Sequence, residues 1–439
     1  IFHVGSLILV WTCIFFVFLL IRIQRPKNFP PGPPPLPLFG NLLHVNMANP
    51  LKDFERFAEQ YGNIFSLYTG SRPAVFLNSF EVIKEALVTK AQDFSGRPLD
   101  FMINHLSENK GNSYYKLSYQ LSNQISLDHR RFALMTLRNF GLGKQSMEER
   151  ILEEISHLVS DLDRNAGTVN PQNMFHNVAS NVIGLVLFRS QQHIPSEVHQ
   201  DHYRDFKDHQ WTMEYEVKKY CVSGEPRDLI DCYLDELDKR KNDGSTFSED
   251  QLIIDILGLH FAGTDTTSNT LLTAFLYLMA HPEIQAKCQK EIDEVLEGKD
   301  HASYEDRHNM PYTLAVIHEV QHTTLMGYRT VIITNLTIIL KEEGQWKFPH
   351  EFNPDNFLNE QGQFEKPEAF IPFSTGPRVC LGEGLARMEL FLVIATLLPH
   401  FQFVWPNDAG DPDYTPVYGV TLTPKPYRMH IRRRETVKQ

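Results

Sequence analysis

Residues 251–280, QLIIDILGLHFAGTDTTSNTLLTAFLYLMA, constrain the fold more than any other part of the chain. The run holds no proline and is apolar almost all round, which predicts a helix that crosses a protein interior rather than lying on a surface. Such a rod needs other helices on every side, and a chain of 439 residues with 42% hydrophobic content can supply them. The expected fold class is therefore mainly α with a small β portion, built as one large helical domain over residues 42–439. Short strand-like runs stand at 74–78 (AVFLN) and 330–336 (TVIITNL). Ser248 and Gln251 form a capping-box pattern at the helix start, Phe247 can staple onto Leu252, and Pro282 closes the far end. Polar residues interrupt the middle: Gly263, Thr264, Asp265, Thr266 and Thr267. Buried polar groups need partners, so these either satisfy one another or face a wet cavity. Thr266 can also bond back to the Ala262 carbonyl and bend the helix.

Residues 1–21 contain no Asp, Glu, Lys or Arg. As a helix they would extend roughly 30 Å, the hydrocarbon thickness of a bilayer. Arg22, Arg25 and Lys27 follow directly, which predicts a single-pass anchor whose flank and following domain face the cytosol. The chain does not begin with Met, so a fragment is expected at this end. Prolines at 30, 31, 33, 34, 35 and 37 make residues 22–41 a basic and proline-rich linker, expected to be a stiff extended spacer. Formal net charge is −12, which disfavours a nucleic-acid partner. Five widely spaced cysteines do not form a secreted disulfide framework, and a reducing compartment is expected.

Near the C-terminus, FSTGPRVCLGEGLARMELFLVIATLL delivers Cys380 to the start of a strongly apolar helix. Backbone N–H groups and the dipole at a helix start favour thiolate, as does Arg378 two residues earlier. A thiolate is a nucleophile or a metal ligand. No second Cys or His stands nearby to make a zinc site, no base is evident for a hydrolase, and an inert buried thiol is the ordinary alternative.

The pattern Phe373, Gly376, Arg378, Cys380 and Gly382 resembles, residue by residue, the haem-binding loop of the cytochrome P-450 family. AGTDTT is similar to the family's central helix. The segments PPGPPPLPLFGN, RRFALMTLRNFGLG, EPRDLIDCYLDEL, MPYTLAVIHEVQ and FNPDNF are similar to successive landmarks of its microsomal vertebrate members, in the same order. The likeness is greatest to the second family, which includes oxidisers of fatty acids and foreign compounds. It implies a cytochrome P-450 fold with haem b, Cys380 as the axial thiolate, and an endoplasmic reticulum membrane location. By the same resemblance Phe373 packs beside the sulfur, Gly376 and Gly382 allow close approach, and Arg378 and Arg130 meet haem propionates. Thr266 with Asp265 would deliver protons, and Ala262 would line the pocket for an apolar small-molecule substrate. The implied partners are an NADPH-dependent flavoprotein reductase, cytochrome b5 and membrane lipid. Arg131, Arg138, Lys144 and Arg387 could form the basic patch on which the reductase docks.

The chain also departs from that pattern. Glu319 is followed by His322 where the family has Glu-x-x-Arg, and an imidazole does not replace a permanently charged fork. Ser126 stands where Trp is usual, and the segments after His322 and over residues 214–224 read as shortened. These departures define an alternative, a catalytically impaired or non-catalytic haem-binding relative. His193, His199, His202 and His209 cluster with acids, and a solvated polar face is the expected reading.

Overall fold

The computed structural model describes residue 11 and residues 25–94, 124–139, 145–164, 167–188, 228–240, 247–324, 332–419 and 421–434. The anchor read at 1–21 and the histidine cluster at 193–209 lie outside these apart from residue 11. Among the described residues no helix is long and apolar enough to cross a membrane.

Helices dominate. In chain order they are α1 (Leu51–Tyr61), α2 (Phe80–Lys84), α3 (Gln124–Asn139), α4 (Gln145–Arg164), α5 (Pro171–Phe188) and α6 (Leu229–Lys239). There follow α7 (Glu249–Ala280), α8 (Pro282–Leu296), α9 (Pro311–Thr324), α10 (Leu336–Ile339) and α11 (Glu383–His400). The strands are β1 (Ile64–Thr69), β2 (Arg72–Leu77), β3 (Thr168–Val169), β4 (Ile332–Thr334), β5 (Phe401–Val404), β6 (Val417–Tyr418), β7 (Leu422–Thr423) and β8 (Met429–Arg433). They form one sheet ordered β1-β2-β4, a second ordered β3-β8-β5 and the hairpin β6-β7. β1 and β2 run antiparallel, whereas β4 joins β2 in parallel.

Helix α7 is the rod the sequence predicts. The Ser248 hydroxyl accepts the Gln251 backbone N–H at 3.1 Å. Only half of the expected capping box forms, because the Gln251 amide donates to Asp255 at 2.8 Å instead of reaching back to Ser248. Phe247 is buried and stacks on His129 with ring centroids 4.4 Å apart. The C-terminal half of α7 is buried nearly throughout and packs with α5, α9 and α11 in the main core. Gln285 on α8 joins this core to β5: its amide donates to the Phe403 carbonyl and accepts the Phe403 N–H, both at 2.9 Å.

The proline-rich segment is not a free spacer. Its prolines leave carbonyls unused by any local ladder, and the domain takes them up. Ser66 N–H donates to Pro31 O at 2.7 Å, Ser66 Oγ to Pro30 O at 2.7 Å, and Asn41 Nδ2 to Pro33 O at 3.0 Å. Gly32 is required there, since a Cβ would stand 2.0 Å from the Ser66 carbonyl oxygen.

Candidate functional site

Cys380 stands at the end of a loop that four kinds of contact hold in shape. Its own N–H donates to the Phe373 carbonyl at 2.8 Å. Gly376 adopts φ +75°, and a Cβ there would lie 2.0 Å from the Leu87 carbonyl oxygen, so the loop presses against the π turn at Glu85–Thr89. The Arg130 guanidinium donates to the Val379 carbonyl, tying α3 to the loop. Arg387, one turn into α11, lies 4.9 Å over the Phe373 ring and donates to Glu383 at 2.9 Å. Leu87 lies outside the cysteine motif, and packing alone recruits it.

The Cys380 side chain itself reaches solvent. Desolvation by the surrounding loop nevertheless pushes its thiol pKa up; the N–H groups of Gly382 and Glu383 and the charge of Arg130 pull it down. The sequence reading expected helix start and nearby arginine to favour thiolate outright. The helix-start N–H groups act in the expected direction and Arg130 adds a favourable charge, but burial outweighs both. Gly382 precedes α11 with open space on its Cβ side, so it makes no tight protein contact there. Arg378 lies in the short turn Gly376–Arg378.

The other residues that the sequence singles out lie in the middle of α7. Gly258, Phe261, Ala262 and Thr266 are its exposed residues, recurring at helical spacing on a rod otherwise largely covered. Phe261 is 46% exposed. The Thr266 hydroxyl donates to the Ala262 carbonyl at 2.7 Å, the local bond the sequence allows. Asp265 is turned elsewhere: Thr421 Oγ1 donates to its Oδ2 at 2.7 Å and Asn269 Nδ2 to its Oδ1 at 3.2 Å. Thr266 and Asp265, adjacent in sequence, thus have separate hydrogen-bond partners. Thr270 and Thr273 return their hydroxyls to carbonyls one turn back, whereas buried Thr264 Oγ1 has no partner among the described residues.

Glu319 keeps hydrogen-bond donors although His322 stands where the resemblance implies arginine. Glu319 is fully buried, and it accepts the Asn353 N–H at 3.0 Å and the Asn356 amide at 3.2 and 3.3 Å. His322 Nδ1 stands 3.2 Å from Glu319 but out of line, so neither ring nitrogen makes a hydrogen bond. Its ring packs instead on Trp346, centroids 3.9 Å apart. Arg387, read from sequence as part of an outer basic patch, also turns inward and donates to His318 Nε2 at 2.8 Å. Burial and that cation hold His318 neutral, its pKa pushed down to about 3.

Among the described residues no group of three His, Cys, Asp or Glu side chains gathers to hold a metal ion. A lone thiol can retain a metal only if another chelator brings the remaining donors, and a porphyrin does this. The open thiol at the end of its pinned loop fits the single protein donor that such a group needs.

Comparison with known proteins agrees. The profile described as Cytochrome P450 matches residues 30–199 and 191–431. Cytochrome P450 2J2 from Homo sapiens is 38% identical over 450 residues, covering 88% of each chain. Cytochrome P450 2B15 from Rattus norvegicus is 33% identical over 509 residues, covering 98% of this chain and 99% of its own. Vitamin D(3) 25-hydroxylase from Sus scrofa is 34% identical over 499 residues, covering 97% and 98%. The chain belongs to the cytochrome P450 family. It is a monooxygenase, an oxidoreductase whose cofactor is haem with a cysteine thiolate as iron ligand. An alignment longer than this chain necessarily contains positions this chain lacks, in keeping with the shortened segments read from sequence. The comparisons give no support to the non-catalytic alternative.

Proposed function

We propose that this chain oxidises apolar organic substrates, fatty acids or foreign compounds, at the haem held by Cys380. One atom of dioxygen enters the substrate and the other leaves as water, with two electrons from NADPH passed on by a flavoprotein reductase and, as a second donor, cytochrome b5. Haem supplies the dioxygen chemistry, and the thiolate's electron push favours O–O cleavage.

The observation that carries this reading is the open thiol at the end of a loop pinned by Gly376, Arg130 and the Phe373 carbonyl; Phe261, Ala262 and Thr266 add an exposed apolar and hydroxyl-bearing surface on α7. In it Cys380 ligates iron, Phe373 and Gly376 shape the loop, and Gly382 leaves room beside the sulfur. Arg130 and Arg378 meet the propionates, since a guanidinium forks onto a carboxylate. Ala262 borders the substrate, and Thr266 with Asp265 moves protons toward the open face. Residues 1–21 anchor the chain in the endoplasmic reticulum membrane, 22–41 connect, and 42–439 form the cytosolic catalytic domain.

The test is the carbon monoxide difference spectrum of the dithionite-reduced protein in detergent, alongside Cys380→Ser. A strongly red-shifted Soret band that the variant loses is the expected result. A band at the position of an ordinary histidine haem sinks the assignment of Cys380. Incubation of the intact protein with reductase, NADPH and a panel of long-chain fatty acids and lipophilic aromatics then tests the substrate class; no hydroxylated product from either overturns it.

A further inference from the structure

We propose that Thr421 is a positioning residue for Asp265, and that the hairpin carrying it latches the Asp265 carboxylate away from Thr266. The inference rests on the reading of Asp265 as a proton carrier.

The hydrogen bonds form a closed triangle. Thr421 Oγ1 donates to Asp265 Oδ2 at 2.7 Å. Asn269 Nδ2 donates to Thr421 Oγ1 at 2.7 Å and to Asp265 Oδ1 at 3.2 Å. Thr421 has one hydroxyl proton, and by committing it to the carboxylate the side chain must accept from Asn269, so the direction of the triangle is fixed. Both oxygens of Asp265 are engaged, which holds the orientation of the side chain.

The three corners differ in how easily they let go. Asn269 sits one turn along α7 from Asp265, is 7% exposed and shares the same rigid helix. Thr421 sits between β6 and β7, two-residue strands paired only as Val417–Thr423 and Tyr418–Leu422. An isolated two-stranded ribbon is marginal, so the Thr421 corner is the one that opens. When it opens, Asp265 Oδ2 loses its donor and the side chain can turn toward the face where Thr266 lies. Thr421 thereby controls how often Asp265 is available without touching the reacting atoms.

The experiment uses the full-length haem-loaded protein with reductase and compares the parent with Thr421→Val, Thr421→Ser, Asp265→Asn and the Thr421→Val/Asp265→Asn double variant. One readout is hydrogen exchange of the amides of residues 417–423, which needs no turnover. The other is hydroxylated product per NADPH consumed, the shortfall leaving as hydrogen peroxide from NADPH, a proton and dioxygen. Loss of a hydrogen bond to a charged group predicts on the order of tenfold faster exchange in Thr421→Val. Unlatched, Asp265 would deliver protons out of turn, so product per NADPH should fall, Thr421→Ser should restore both readouts, and Thr421→Val should add nothing to Asp265→Asn. Parent-like exchange and yield in Thr421→Val overturn the latch. An additive loss in the double variant overturns action through Asp265. If Asp265→Asn keeps the parent yield while Thr421→Val still exchanges faster, the contact is structural only and the proton-carrier reading itself has failed.

Discussion

Around Cys380 the protein leaves a sulfur atom open, whereas around Glu319 it closes on a carboxyl side chain completely. The Cys380 thiol reaches solvent and depends on desolvation and two backbone N–H groups for its character. Glu319 has no exposure and receives its donors from Asn353 and Asn356, two residues of the 350s segment. The difference separates chemistry from scaffolding: a reacting group needs an approach, and a buried structural carboxylate needs every lone pair answered. It also shows how this chain keeps its Glu319 anchor without arginine at 322. Neutral amides supply the hydrogen bonds, and the imidazole contributes packing on Trp346 rather than a hydrogen bond.

The largest effect that would break this contrast is on the open side. Gly376→Ala combines a left-handed backbone with a Cβ driven into the Leu87 carbonyl, and should cost about 3 kcal/mol and lower haem incorporation. Haem-to-protein ratio and a denaturant midpoint check it; full haem content would show that the loop can retreat from Leu87. On the closed side, Asn356→Ala strips Glu319 of its side-chain donors and should cost roughly 2–3 kcal/mol. An unchanged midpoint would mean that water reaches Glu319.

A second buried carboxyl group sharpens the comparison. Glu389 on α11 is 2% exposed, its Oε1 has no partner among the described residues, and burial beside Glu154 pushes its pKa well above 4.5. The folded state therefore holds a proton that the unfolded chain releases near 4.5. Stability attributable to this group falls as pH rises above that value and levels off once pH passes the folded pKa. Glu389→Gln should remove this slope, roughly 1.4 kcal/mol per pH unit within the window, and so gain stability at pH 8 relative to pH 5. Chemical denaturation at the two pH values decides it, and parallel shifts in parent and variant would exclude Glu389. The smallest effect belongs to the surface: Lys84→Ala, which breaks the exposed pair with Glu368, should move stability by less than about 0.5 kcal/mol.

Much of this was legible in sequence because the interactions are local. Ser248 caps α7 three residues away, Thr266 bonds Ala262 four residues away, and the 251–280 run could only be an interior helix. The loop around Cys380 was legible through its spacing, and the resemblance built on it held across nearly the whole chain. What the sequence left open involves partners far along the chain. Thr421 meets Asp265 from 156 residues away, Asn356 meets Glu319 from 37, and Arg130 meets Val379 from 249. No periodicity or motif encodes such pairs, since any of many polar side chains could have filled those positions. Arg387 shows the same limit: its charge suggested an outer patch, and only packing against Phe373, Glu383 and His318 turned it inward. The proline-rich stretch was rigid as composition dictates, yet its destination along β1 depended on the Ser66 and Asn41 donors that the fold brings to it. Local geometry is set by a residue and its near neighbours, so sequence determined the central helix, its cap and the cysteine loop. Which buried polar group answers which is set by the packing of whole elements, so only the tertiary structure decided how Asp265, Glu319 and Cys380 are held.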